Sequence, residues 1–267
     1  MTDTDPPNVS RRGLLVVAGA GVAAQAIPAS AEESRRSRGR SNVSVVLVHG
    51  AFTDGSCWNE VIPRLEALGY RASAVQNPLS SLADDVLATR RLLERQAGRV
   101  VLVGHSWAGA VITEAGVAAN VAALAYISAL APDRGESVMD LQKNGPPGPA
   151  MEAAKPDAHG YLWFDPERYH AGLAGDVSPA RARWMAATQQ PIATRCFGDT
   201  IGEAAWRTKP AHYLISEDDQ ALSPVLQHWM AKRMGAGVKT VASSHMSLIS
   251  HADATADLIA KAAQAIS

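Results

Sequence analysis

Beyond residue 42 the chain alternates between short apolar runs and stretches of helical spacing. Val43-Ser44-Val45-Val46-Leu47-Val48 is apolar enough on both alternating sets to be a strand buried on both faces, and it ends at His49-Gly50. Helical spacing follows from Trp58 to Leu68, and Gly69 stops it. The same pair recurs as a strand over Arg71–Val75 and a helix over Ser81–Gln96, with Gly98 as its stop signal. Arg99–Val103 is a third strand that runs straight into Gly104-His105-Ser106, then a helix over Ala108–Ala119 and a strand over Val121–Ser128. The pattern resumes with a strand over Ala211–Ser216 and a helix from Ser223-Pro224 to Met234, closed by Gly235. A strand over Val238–Ala242 and a helix over Ala252–Ala265 complete it. Strands separated by helices predict an α/β fold, a mostly parallel sheet with helices on both faces.

Two stretches break the rhythm. Residues 133–209 are rich in proline and glycine and predict no strand. They carry Trp163, Phe164, Trp184, Phe197 and Trp206, a concentration of aromatics that must bury against something. A long irregular insertion of this kind reads as a lid over a pocket, with Trp163, Phe164, Trp184 and, nearby, Met246 as expected pocket residues. The second stretch is the N-terminus. Ser10-Arg11-Arg12-Gly13-Leu14-Leu15 opens an apolar run to Ile27, followed by Pro28-Ala29-Ser30-Ala31. A basic start, a short apolar middle and a small-residue exit predict a signal peptide over 1–31, of twin-arginine type, and export to the periplasm or beyond. The run is too short and too rich in alanine and glycine for a spanning helix, which needs about 20 apolar residues. No membrane association is expected after cleavage. Residues 32–42 form a polar, basic linker, leaving 43–267 as one domain.

Composition narrows the class further. The chain has 267 residues, 47% hydrophobic, with a formal net charge of −1, which argues against surfaces built for nucleic acid or anionic lipid. Its two cysteines, Cys57 and Cys196, are too few for a disulfide framework and have no zinc-like spacing; an exported destination leaves a bridge between them open. No metal or organic cofactor is implied. A small molecule is the expected partner, and a homodimer is compatible with the composition.

The candidate chemistry lies at Gly104-His105-Ser106-Trp107-Ala108-Gly109. A serine between a buried strand and a helix, with small residues two positions to either side, is held out of the sheet on strained backbone. Ala108 stands where a second glycine is usual, with Gly109 just behind. The N–H of Trp107, at the helix N-terminus, can stabilise a developing oxyanion, and the loop after the first strand can add that of Ala51 or Phe52. A serine hydroxyl needs a base. His245, just after the last strand, is placed for it, whereas His251 reads as a helix-start residue and His105 as pointing elsewhere. An acid must hold the imidazole tautomer. Asp219, after the strand ending at Ser216, is preferred to Asp218.

These pieces, with His49-Gly50-Ala51-Phe52, Cys57-Trp58 and Ser244-His245-Met246, resemble the α/β-hydrolases, in the branch holding plant methyl esterases, hydroxynitrile lyases and similar bacterial esterases. The order Ser106, Asp219, His245 is also that of this class. The likeness runs over roughly Val43–Ile266 and is weakest through the lid. In that branch the lyases carry threonine after the first-strand histidine and lysine after the catalytic one. This chain has Gly50 and Met246 there, as the esterases do. The resemblance implies a serine esterase that works through an acyl-enzyme, and the lid's aromatics with Phe52, Trp107 and Met246 predict a small to medium, mainly apolar ester as its substrate. A carbon–carbon lyase or cofactor-free oxygenase on the same triad, or a non-catalytic receptor with a hydrolase pocket, are the rival readings.

Overall fold

A computed structural model of the chain describes Met1, Thr2 and residues 42–267, so the expected signal peptide and linker fall almost wholly outside the described residues. Strands β1 (Val43–Val48), β2 (Arg71–Ala74), β3 (Arg99–His105), β4 (Val121–Ile127), β8 (Ala211–Ser216) and β9 (Gly237–Val241) build one sheet, ordered β2-β1-β3-β4-β8-β9. Every neighbouring pair is parallel. Parallel neighbours need crossover connections, and helices α1 (Val61–Ala67), α2 (Leu82–Glu94), α3 (Ala108–Ala115), α6 (Pro224–Met234) and α7 (Ala252–Gln264) lie between or after the strands. Burial follows position in the sheet. β1 is buried along its whole length and β3 from Val100 onward, while edge strands β2 and β9 hold half-buried and exposed residues.

Local chemistry sets the element ends. The Ser81 hydroxyl accepts from the Asp84 N–H and starts α2, and Gly235, at φ 61, closes α6 in the left-handed conformation. Trp58, expected to open a helix, belongs instead to a 3-10 turn, Gly55–Trp58, which Asp54 caps through the Ser56 N–H. The helix itself begins at Val61.

The lid departs from expectation. Where no strand was predicted, β5 (Ala154–Pro156), β6 (Tyr161–Phe164) and β7 (Ile192–Ala193) form a small antiparallel sheet. Strands this short carry no readable alternation. Their turn is made by Asp157, whose carboxylate accepts from the N–H groups of His159 (2.8 Å) and Tyr161 (2.9 Å), and by Gly160 at φ 78. Two lid helices follow, α4 (Pro166–Leu173) and α5 (Pro179–Ala187), each started by a side-chain cap, Asp165 or Ser178, followed by proline.

Cys57 and Cys196 are buried free thiols, which answers the question of a bridge. Burial raises both, Cys196 to about 12, so neither is poised as a thiolate. Among the described residues no helix is long and apolar enough to cross a membrane.

Candidate active site

Ser106 sits between β3 and α3 at φ 54, the left-handed region that a side-chain-bearing residue adopts only when its surroundings force it. Its N–H donates to Ile127 O at 3.2 Å, and its carbonyl accepts from Gly109 N and Leu130 N, both at 3.0 Å. The small neighbours are explained by clearance. A Cβ on Gly104 would lie 2.7 Å from the Ala108 carbonyl oxygen, and one on Gly109 would lie 2.0 Å from that of Leu130. The tightest approach to the loop after β4 therefore falls at Gly109. A Cβ on Gly50 would in turn meet the Ser106 Cβ at 2.8 Å, so the first-strand loop is packed against the serine itself.

His245 follows β9 and is 4% exposed. Its Nδ1 donates to Asp219 Oδ2 at 2.7 Å, which leaves Nε2 as the nitrogen that can take a proton. Asp219 is 1% exposed, and its carboxylate also accepts from Ala221 N, Leu222 N and the Gln227 side-chain amide, each at 2.8 Å. Glu217 and Asp218, in contrast, face solvent, and Glu217 pairs with His228. Of the carboxylates after β8, Asp219 is the one brought to the histidine.

Ser106 and His245 line one cavity of about 220 Å³. The loop after β1 reaches it with Ala51 and Phe52. The two loop amides differ. The Phe52 N–H is already donated to Gln190 O at 3.1 Å, whereas among the described residues the N–H groups of Ala51 and Trp107 have no protein acceptor. Of the two loop amides, Ala51 is therefore the one whose N–H is left without a protein acceptor. Phe52 contributes its ring to the wall instead.

The expected pocket residues need correction. Trp163, Phe164, Trp184 and Met246 are all absent from the cavity wall. Strand alternation puts Trp163 on the face of β6 opposite Leu162, where it is 44% exposed and bonds Asp157, while Leu162 lines the cavity. Phe164 shares the inner face but lies behind Phe52, edge-on at 5.6 Å between ring centres. On α5 the buried positions are Ala182 and Ala186, so Trp184 points outward, 70% exposed. Met246 is fully buried beneath His245's loop. The wall is built by Leu162, Leu173, Phe197, Leu222, Leu226 and Met151, with Pro146 and Pro147 at its rim. Among the described residues, Gln142 is the one lid side chain there with a free polar end, and no Asp, Glu, Lys or Arg lines the cavity.

Three further residues hold this arrangement. His105, next to the serine, donates from Nε2 to the His245 carbonyl at 2.9 Å, and burial keeps its ring neutral. Asp176, from the lid, accepts from Ser243 Oγ at 2.8 Å, Ser244 N at 3.1 Å and Ser244 Oγ, immediately before His245. Burial alone would raise its carboxyl, but these hydrogen bonds outweigh it and hold it below the usual range. Asp85 on α2 is fully buried and accepts from the Trp107 indole N–H and the Leu79 N–H, each at 2.8 Å. Burial pushes it up to about 6. A signal for it exists in the sequence: Asp85 stands on the same stripe as Leu82, Val86, Thr89 and Leu93, an acid on an otherwise inward face. His105 and Asp176 carry no such signal, because their partners lie far away in the chain.

An alpha/beta hydrolase family model matches residues 45–258. The chain belongs to the alpha/beta hydrolase family. Within this family, alpha/beta hydrolase nvfD of Aspergillus novofumigatus is 29% identical over 244 residues, 82% of this chain and 96% of that protein. Methylesterase 1 of Arabidopsis thaliana is 23% identical over 215 residues, 69% of this chain and 81% of its own length. The crystal structure of a pyrethroid hydrolase from Sphingobium faniae JZ-2 aligns with a TM-score of 0.72 at 26% identity, covering 84% of this chain and 98% of that one. Plant methylesterases and bacterial esterases thus stand among the relatives, as the motifs' resemblance implied.

Proposed function

We propose that this alpha/beta hydrolase is a serine esterase that cleaves a small to medium, mainly apolar carboxylic ester through an acyl-enzyme. The observation that carries the reading is the joint geometry of the 220 Å³ cavity: Ser106 and His245 on its wall, Asp219 2.7 Å behind the imidazole, and the uncommitted N–H groups of Ala51 and Trp107 beside the serine. In this mechanism His245 Nε2 takes the Ser106 proton as the hydroxyl oxygen attacks the ester carbonyl. The carbonyl oxygen becomes an oxyanion held by the Ala51 and Trp107 N–H groups. His245 then returns the proton to the departing alcohol, and water repeats the sequence to release the acid. Asp219 keeps the proton on Nδ1 and offsets the imidazolium charge. A wall that among the described residues holds no Asp, Glu, Lys or Arg favours an uncharged substrate bound by apolar contact. Relatives named as a carbendazim hydrolyzing esterase, a pyrethroid hydrolase and methylesterases support ester hydrolysis.

The test is covalent. A fluorophosphonate should add to Ser106 in the active protein, located by peptide mass, and Ser106→Ala should abolish both the adduct and turnover of a neutral nitrophenyl ester, lowering kcat on the order of 10⁶-fold. An adduct that persists in Ser106→Ala overturns the assignment.

A further inference from the structure

Phe52 sits at φ 59, a left-handed conformation that is disfavoured for an L-residue carrying a side chain. It does so in the loop that presents the Ala51 N–H, so the contacts that enforce it bear on the oxyanion hole. A trans peptide points its C=O and N–H in opposite directions, and fixing one end of the plane aims the other. Three successive peptide planes of this loop are fixed in that way. The Gly50 carbonyl, in the same plane as the Ala51 N–H, accepts from His49 Nδ1 at 2.9 Å and Thr53 Oγ1 at 3.2 Å. The next plane is held by the Phe52 N–H donating to Gln190 O at 3.1 Å. The third is held by the Tyr169 hydroxyl, which donates to the Phe52 carbonyl at 2.8 Å.

Gln190 and Tyr169 both belong to the lid. Tyr169 is fully buried, and its ring is packed edge-on against Phe164 at 5.8 Å, which in turn meets Phe52. The Gln190 side chain closes the frame by donating to Asn77 O at 2.7 Å, while Asn77 N donates to His49 Nε2 at 2.9 Å. We infer that Tyr169 is a positioning residue of the esterase site, a lid side chain that holds the Phe52 peptide and through it the Ala51 oxyanion donor. This deepens the proposed esterase reading and rests on it. The lid, on this account, is part of the catalytic frame as well as a pocket wall.

The test compares transition-state with ground-state interactions. Tyr169→Phe removes one oxygen and keeps the ring packing. A lost oxyanion donor costs about 10²–10³ in kcat, so a donor left in place but loosened should cost roughly 10-fold. KM for a neutral ester should stay within about twofold, and a trifluoromethyl ketone, whose adduct with Ser106 carries an oxyanion, should bind roughly 10-fold more weakly. Thr53→Val, which removes one of the two donors to the Gly50 carbonyl, should give the same kcat-selective pattern in smaller measure and stands in if Tyr169→Phe does not fold. Unchanged kcat and ketone affinity in both variants would overturn the inference, as would a loss confined to KM. Failure of the esterase reading looks different: the unmutated protein would neither turn over the ester nor take the fluorophosphonate on Ser106.

Discussion

The serine turn and the lid make the same site by opposite routes. The turn at Gly104–Gly109 is shaped mainly by near neighbours in the chain and by the strand ends beside it: a buried strand, a left-handed serine, glycines where backbone presses on backbone. The lid contributes through contacts that bridge long stretches of sequence, such as Tyr169 to Phe52, Asp176 to Ser244 and the Phe197 ring against Trp107 at 5.7 Å. In the first region the spacing between backbones restricts which residues fit, as the clearances at Gly104 and Gly109 show. In the second, which residue matters depends on the direction its side chain takes, and adjacent residues differ completely, as Leu162 and Trp163 do.

Predicted effects sharpen this contrast. The largest should come at the acid. Asp219→Asn leaves the imidazole in the wrong tautomer and should lower kcat by about 10⁴-fold, whereas Asp218→Asn, on an exposed side chain, should change it little. Steady-state kinetics on the two variants decides the matter, and the reverse ranking would move the role to Asp218.

Next comes Asp85, which holds the indole of Trp107, a cavity-lining residue of the serine turn. Its carboxyl is raised by burial to about 6 from an ordinary 3.8, so the folded protein binds this proton more tightly than the unfolded chain. The stability tied to it is therefore fully present below pH 3.8 and is lost as pH rises through about 6, a difference on the order of 3 kcal/mol. Asp176 works in the other sense, since its lowered carboxyl contributes stability that is lost as pH falls. The buried, neutral His49 and His105 contribute in the opposite sense over the same window and do so in both proteins, so the quantity to read is a difference. In denaturant melts the stability of the unmutated protein relative to Asp85→Asn should fall as pH rises from 3.8 through about 6, and a difference that does not change with pH contradicts the assignment of the shift to Asp85.

Smaller effects should separate the lid's inner and outer residues. Leu162→Ala or Phe197→Ala, on the cavity wall, should lower kcat/KM for longer acyl esters by about 10–200-fold relative to short ones. Trp184→Ala, 70% exposed, should leave the acyl-length profile unchanged and shift stability within about 0.5 kcal/mol. If Trp184→Ala altered acyl preference and Leu162→Ala did not, the wall as described would be wrong.

The sequence by itself determined the succession of strands and helices along the chain, the serine turn, and which residues are the candidates for base and acid. Those features are written in local physics: buried parallel strands are continuous apolar runs, helices carry a period and a cap, and a strained turn demands small neighbours. It also located the lid, as a break in that rhythm. The tertiary structure alone decided the rest. It brought buried Asp219 to His245 and left Asp218 exposed, and it gave the Phe52 N–H to Gln190 while leaving that of Ala51 without an acceptor among the described residues. It turned Trp163 and Trp184 outward and placed Leu162 and Phe197 at the cavity. Short strands in an insertion have no period long enough to reveal their inner face. A hydrogen bond between residues over a hundred positions apart, like that of Tyr169 to Phe52 at a separation of 117, leaves no pattern in a single sequence.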